Sequence, residues 1–261
     1  MDLLYTIALD EPGSTLQRGL AKVLIGSVLR TGFSGDVLVF GNWELPLYQI
    51  PRKAVTEINI DTGDLRGSDL FLLANKLKYG ARDFIEAPER YRTILYVDND
   101  CLALKNLEDL CGWREDICWV AEPGTKLSGW QFRGYLTEDE MTASQRPGAN
   151  AGTFGIRGEK FVEVTGEVLT IWSQPPVLEG EIWGDQPAWN KLLVGGGFSL
   201  LRYPDEAVNF PLLHHPNWHE YRKATLLHFC GHSQRAKTEL QFAIFVSQFF
   251  GEAAEALLTA L

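Results

Sequence analysis

A short apolar run from Leu3 to Leu9 has the pattern of a strand buried on both faces. A turn follows at Asp10-Glu11-Pro12-Gly13. Ser14 and Gln17 then form a capping-box pattern, in which each side chain satisfies a free backbone N–H of the first helical turn. Leu16, Leu20, Val23, Leu24 and Val28 recur at helical spacing, and the helix should end near Gly32. Asp36 to Phe40 predicts a second strand, closed by Gly41-Asn42. Strand, helix and strand in this order make a βαβ unit with a parallel pair.

Val55 to Ile60 predicts a third strand, and a polar loop from Asp61 to Gly67 follows it. Ser68 or Asp69 caps a helix through Tyr79, with Leu70, Leu73 and Leu77 on one face. Thr93 to Val97 is a β-branched and aromatic strand that runs directly into Asp98-Asn99-Asp100, after which Leu102 to Leu104 resumes the apolar pattern. Ile117 to Ala121 and Thr153 to Ile156 predict further strands, and Phe161 to Trp172 a helix. Between them Gly124 to Gly148 is polar and Gly-rich and carries Trp130, Phe132 and Tyr135. A segment of that length is expected to be a functional or mobile loop. Asp185 stands at an N-cap position with Pro187 in the first turn of a helix through Val194. Leu226 to Phe229 predicts the last strand, and residues 239–261 a C-terminal helix rich in Phe and Leu. The expected architecture is α/β, a mostly parallel open sheet flanked by helices, forming a single domain over residues 1–261. Such sheets bind ligands at the C-terminal ends of their strands.

Composition narrows the choice of ligand. The formal net charge is -10 over 261 residues. A phosphate-rich polymer would be repelled by that field, so no nucleic acid partner is expected. No segment reaches the roughly 20 apolar residues of a membrane span. The opening Met1-Asp2-Leu3-Leu4-Tyr5 lacks a basic leader and a signal-type run, so a soluble cytoplasmic protein is expected. Cys101, Cys111, Cys118 and Cys230 form no C-x-x-C pair, which fits reduced thiols rather than zinc.

Asp98 and Asp100 are the sharpest chemical signal. Residues two apart on a strand point to the same side. Two carboxylates there repel unless a cation lies between them, and a hard divalent ion prefers oxygen ligands. Such an ion can also hold a diphosphate as it leaves. The plain alternative for these residue types is a turn.

Ile94-Leu95-Tyr96-Val97-Asp98-Asn99-Asp100-Cys101-Leu102-Ala103-Leu104 resembles the D-x-D region of glycosyltransferase family eight, which holds glycogenin and the lipopolysaccharide galactosyl- and glucosyltransferases. The usual form there is Asp-Ala-Asp, so Asn99 is a departure. Four more blocks match in order: Asn75-Lys76-Leu77, Asn150-Ala151-Gly152-Thr153-Phe154, Gly184-Asp185-Gln186 with Asn190, and Leu227-His228-Phe229-Cys230-Gly231. The resemblance spans roughly residues 3 to 237. It implies a GT-A fold and a retaining transfer of a hexose from a UDP-sugar to an acceptor hydroxyl, with manganese bound, or magnesium in its place. Carried over by position, Asp98, Asp100 and His228 ligate the metal. Lys76, Arg66, Asn99, Gly231 and Lys237 contact the donor. Ala8, Leu9 and Asp10 face the nucleoside, and Asn150, Ala151, Asp185 and Gln186 the sugar, the last two as the catalytic pair. Gln234 stands where the family often has a lysine, so the diphosphate contact either falls to Lys237 or Arg235 or is lost.

Two other classes share such a fold. A sugar-nucleotide pyrophosphorylase would need a Gly-rich, Arg-containing loop after the first strand, which Asp10-Glu11-Pro12-Gly13-Ser14 does not resemble. A non-catalytic sugar- or nucleotide-binding protein is the other. Trp130 is expected to cover the donor or shape the acceptor site. The C-terminal helix, with Glu239, Glu252 and Glu255 and few cations, is expected to pack on the domain, with a homodimer contact as the alternative.

Overall fold

The computed structural model describes residues 1–43, 55–127, 132, 134–143, 146–174, 184–211, 221–230 and 247. Strand β1 (Leu3–Ala8) leads through helix α1 (Leu16–Arg30) to β2 (Asp36–Gly41), and β3 (Val55–Asn59) leads through α2 (Gly67–Gly80) to β4 (Thr93–Val97). After β5 (Cys101–Ala103) come β6 (Ile117–Lys126), α3 (Glu138–Ala143), β7 (Pro147–Arg157), α4 (Phe161–Trp172) and α5 (Gln186–Gly195). Three short strands close the described chain: β8 (Leu200–Arg202), β9 (Val208–Asn209) and β10 (Leu226–His228).

Seven strands form one sheet in the order β3-β2-β1-β4-β7-β6-β8. The β3-β2-β1-β4 half is parallel throughout, and β7 enters antiparallel between β4 and β6. The chain winds from β1 toward β3 and then crosses back to β4 on the other side of β1. That reversal leaves a crevice beyond the C-terminal ends of β1 and β4.

The central strands are buried because both faces are covered. Leu3, Tyr5 and Ile7 of β1 pack with Leu77 of α2, Val164 of α4 and Leu192 of α5, while Leu4 and Ala8 pack on the other face with Leu24 and Val28 of α1. This is why the Leu3–Leu9 run shows no polar alternation.

Three expectations are corrected by the caps and the long loop. The Ser14/Gln17 box does not form: Thr15 takes the N-cap position without a side-chain bond. Asp10 caps α1 instead, its carboxylate accepting from Gln17 N at 2.8 Å and Arg18 N at 3.1 Å. Bonds to a carboxylate are stronger than those to a hydroxyl. Helix α2 starts at Gly67 with Arg66 as N-cap, ahead of Ser68 and Asp69. Finally, residues 124–148 include the end of β6, all of α3 and the start of β7, and Leu127, Phe132 and Leu136 make a small core of their own. β6 outlasts its predicted end at Ala121 because register shifts after Trp119 and Ala121 absorb Pro123 and Gly124 as a bulge. Trp130 lies outside the described residues, as does the predicted C-terminal helix except for Ser247.

A second sheet of β5, β10 and β9 stands beside the crevice. β10 runs antiparallel to β5 and pairs His228 with Cys101, while Phe229 N donates to Asp100 O at 3.0 Å. The small sheet thus carries a residue from near position 230 onto the end of β4.

Candidate functional site

The crevice is a cleft of about 630 Å³, within the roughly 300–1,000 Å³ of small-molecule sites. One wall is a stripe of α2: Phe71, Ala74, Asn75 and Lys78 recur at helical spacing. The β4 end supplies Asp98, Asn99 and Asp100, β7 supplies Asn150, Ala151 and Gly152, and the start of α5 supplies Asp185 and Gln186.

Asp98 leaves β4 where its backbone N–H still bonds to Gly152 O at 2.8 Å. Tyr96, two residues back on the same face, donates to Asp98 Oδ1 at 2.5 Å. His228 Nε2 lies 3.6 Å from Asp98 Oδ2 and 3.3 Å from Asp100 Oδ1, with the imidazole 1 % exposed. Neither ring nitrogen makes a hydrogen bond among the described residues. A buried donor or acceptor left in that state is costly. Two carboxylates and an imidazole at this spacing are a donor set that suits a divalent ion. Gly152 keeps the space open: a Cβ there would come within 2.2 Å of His228 Cε1 and 2.4 Å of Asp98 Oδ2. These residues fit a divalent cation. Asp100, Cys101 and His228 also bring donor atoms within 4.8 Å of one another. Cys101 is fully buried in the core cluster under α1, however, and does not line the cleft, while Asp98 does. Burial and nearby carboxylates push the Cys101 thiol well up, which keeps it protonated and a poor ligand.

Lys78 joins this centre to α5. Its Nζ lies 2.9 Å from Asp185 Oδ2 and 3.7 Å from Asp98 Oδ1, and it donates to Ala151 O at 3.1 Å. Burial pushes the lysine pKa down, but Asp185, Asp98 and Asp100 more than offset that and hold it raised. Tyr79, also from α2, donates to Asp185 Oδ2 at 2.7 Å. Both bonds fall on Oδ2, and no hydrogen bond among the described residues uses Oδ1. Asp185 occupies the N-cap position of α5 yet makes no capping bond. The charged partner on α2 outcompetes the helix N–H groups for its carboxylate.

Gln186 Nε2 donates to Glu122 Oε2 at 2.5 Å, and Asn190 ties the first turn of α5 to both the N–H and the C=O of Ala149, at 2.7 and 2.8 Å. Burial raises the Glu122 pKa, with the Gln186 bond and the His228 charge opposing. His228 is pushed down by burial but raised overall by Asp100, Asp98 and Glu122. That concentration of negative charge is the field a cation would neutralise.

Of the residues singled out from the sequence, Leu9, Asp98, Asn99, Asp100, Asn150, Ala151, Asp185, Gln186 and His228 line the cleft together. Ala8 instead packs into the core beneath α1, and Asp10 caps that helix. Lys76 and Arg66 have exposed side chains and do not line it. Gly231, Gln234, Arg235 and Lys237 lie outside the described residues. Lys78 and Glu122 went unsingled. Lys78 carried a readable signal, falling three and four residues from Asn75 and Ala74 on one helical stripe; Glu122 carried none, because its place depends on the β6 bulge. No helix among the described residues is long and apolar enough to cross a membrane.

No family model matches the sequence, and no curated protein matches it. Among solved structures, a crystal structure of an active-site mutant of LgtC is similar, with a TM-score of 0.62 over 94 % of this chain and 96 % of that one, at 13 % sequence identity. The likeness is one of architecture, and the chain has the GT-A fold of that structure.

Proposed function

We propose that the chain is a glycosyltransferase that moves a hexose from a nucleotide-sugar, a UDP-sugar by preference, to an acceptor hydroxyl with retention of configuration. The observation that carries this reading is the convergence of Asp98, Asp100 and buried His228 around the gap that Gly152 leaves, at the C-terminal end of β4 in a GT-A cleft. Manganese held by these three residues would supply charge stabilisation to the departing diphosphate.

The protein's own groups would do the rest. Asp185 Oδ1, Gln186 and Asn150 hold sugar hydroxyls, with Lys78 and Tyr79 fixing Asp185 and Glu122 fixing Gln186. The acceptor oxygen attacks the anomeric carbon from the face the diphosphate leaves. One C–O bond forms as the other breaks, and the acceptor proton passes to the leaving phosphate oxygen. No dedicated base is then needed. Asp185, its Oδ2 already engaged by Lys78 and Tyr79, is better suited to orienting the sugar than to covalent attack.

Hydrolysis or transfer of UDP-sugars with manganese tests the reading. Activity should vanish on chelation and in Asp100→Ala while circular dichroism stays unchanged. Full turnover under chelation would rule out the metal-dependent route. Donor binding without turnover toward any acceptor or water would point to the non-catalytic alternative.

A further inference from the structure

Asn99 departs from the Asp-Ala-Asp form, and the departure builds a contact. The residue is 9 % exposed. Its Nδ2 donates to Gln17 O at 3.2 Å and to Gln17 Oε1 at 2.7 Å. The backbone carbonyl fixes both amides. It can only accept, so the Asn99 amino group must face it, and Gln17 must meet that amino group with its oxygen. Asn99 Oδ1 and Gln17 Nε2 are therefore left over, and no hydrogen bond among the described residues uses either. Both residues line the cleft. The pair offers a ligand one acceptor and one donor, held in place by each other. An alanine at position 99 could offer neither.

We propose that the Gln17–Asn99 amide pair reads the ribose hydroxyls of the nucleotide and makes the site selective for ribonucleotides over 2′-deoxyribonucleotides. The inference rests on the nucleotide-sugar reading above. Asn99 stands between Asp98 and Asp100, which would hold the diphosphate through a cation, and ribose is the unit bonded directly to that diphosphate. On the α1 side of the pair the cleft turns apolar, with Leu9, Leu16 and Leu20, which suits the flat face of a base. Asp185, at the start of α5, reaches the cleft from another element, shares Lys78 with Asp98, and suits a polyol. A hydroxyl both donates and accepts, so a vicinal diol satisfies one acceptor and one donor side by side. A 2′-methylene would leave the pair desolvated and unpartnered.

Calorimetric titration of the wild type, Gln17→Ala and Asn99→Ala with UDP and 2′-deoxy-UDP in manganese tests this. GDP and 2′-deoxy-GDP run alongside, so that a base preference does not mask the ribose ratio. The wild type should bind the ribonucleotide roughly ten-fold tighter, and each variant should bring that ratio to within about two-fold. A wild-type ratio near one, or variants that lose affinity for both forms equally, overturns the inference while nucleotide binding stands. If the wild type binds none of the four, the nucleotide-sugar reading falls and takes the inference with it. Melting curves on the variants keep a folding defect distinguishable, because a misfolded variant loses every ligand together.

Discussion

Gly152 is the residue whose replacement separates site from scaffold most cleanly. It has no positive φ to lose, so its role is space alone. Gly152→Ala should drive Asp98 and His228 apart and lower turnover by two orders of magnitude or more, the order expected when reacting groups are misplaced by about 1 Å. Its unfolding midpoint should stay near that of the wild type, and steady-state kinetics beside a thermal melt would show the split. Lys76 and Lys78 make a second contrast. Lys76→Ala should leave both stability and turnover unchanged, because its side chain is exposed. Lys78→Met leaves Asp185 buried without its cation and should cost about 3–5 kcal/mol by urea titration, together with most of the activity. Lys76 follows from the resemblance of the Asn75-Lys76-Leu77 block, whereas the lysine that lines the cleft is Lys78. The stripe of Phe71, Ala74, Asn75 and Lys78 is offset from the core stripe of Leu70, Leu73 and Leu77 and faces the cleft. The D-x-D carboxylates are not placed by strand alternation: β4 ends at Val97, Asn99 and Asp100 form the turn before β5, and that turn sets their direction.

At the scale of elements, the positions of α1 and α5 are set by side chains reaching in from elsewhere. Asp10, just past the end of β1, caps α1 from seven positions ahead of Gln17 and is itself held by Asn42, which accepts from its N–H at 2.9 Å and donates to its C=O at 2.8 Å. Asp10→Ala should therefore cost about 0.5–2 kcal/mol, while Ser14→Ala should cost a few tenths at most. Equal losses in urea unfolding would return the cap to the local box. Helix existence and direction were legible, because hydrophobic spacing is a local property; the α4 limits at Phe161 and Trp172 agree between sequence and structure. Caps were not, because the acceptor that wins lies on another element. Strand β10 was legible in the Leu226–Phe229 run, but β9, two residues long, and the pairing of β10 with β5 were not, although that pairing is what brings His228 to Asp100.

For the whole molecule, the parallel half of the sheet followed from the opening βαβ order, but the antiparallel entry of β7 between β4 and β6 depends on long-range pairing that no local pattern encodes. That entry matters for the site, since it places Gly152 against Asp98 and closes the gap around His228. The consequence is a cleft in which Asp98, Asp100, Glu122 and Asp185 face one buried lysine among the described residues. On the proposed reading, such a cleft would bind a cation in the folded state alone, because unfolding would scatter ligands that lie about 130 positions apart along the chain. Folding and metal binding would then be linked. At manganese one hundred times its dissociation constant, the gain is about 2.7 kcal/mol. For a chain of this size each kcal/mol moves the melting midpoint by roughly 2–4 °C, so a rise of roughly 5–11 °C is expected. Chelation should reverse the rise, and Asp98→Ala and Asp100→Ala should abolish it. Cys101→Ala should retain it, because the thiol sits in the core rather than the cleft. A shift that survives Asp98→Ala but disappears with both Asp100→Ala and Cys101→Ala would move the cation into the Asp100-Cys101-His228 group and away from the donor diphosphate.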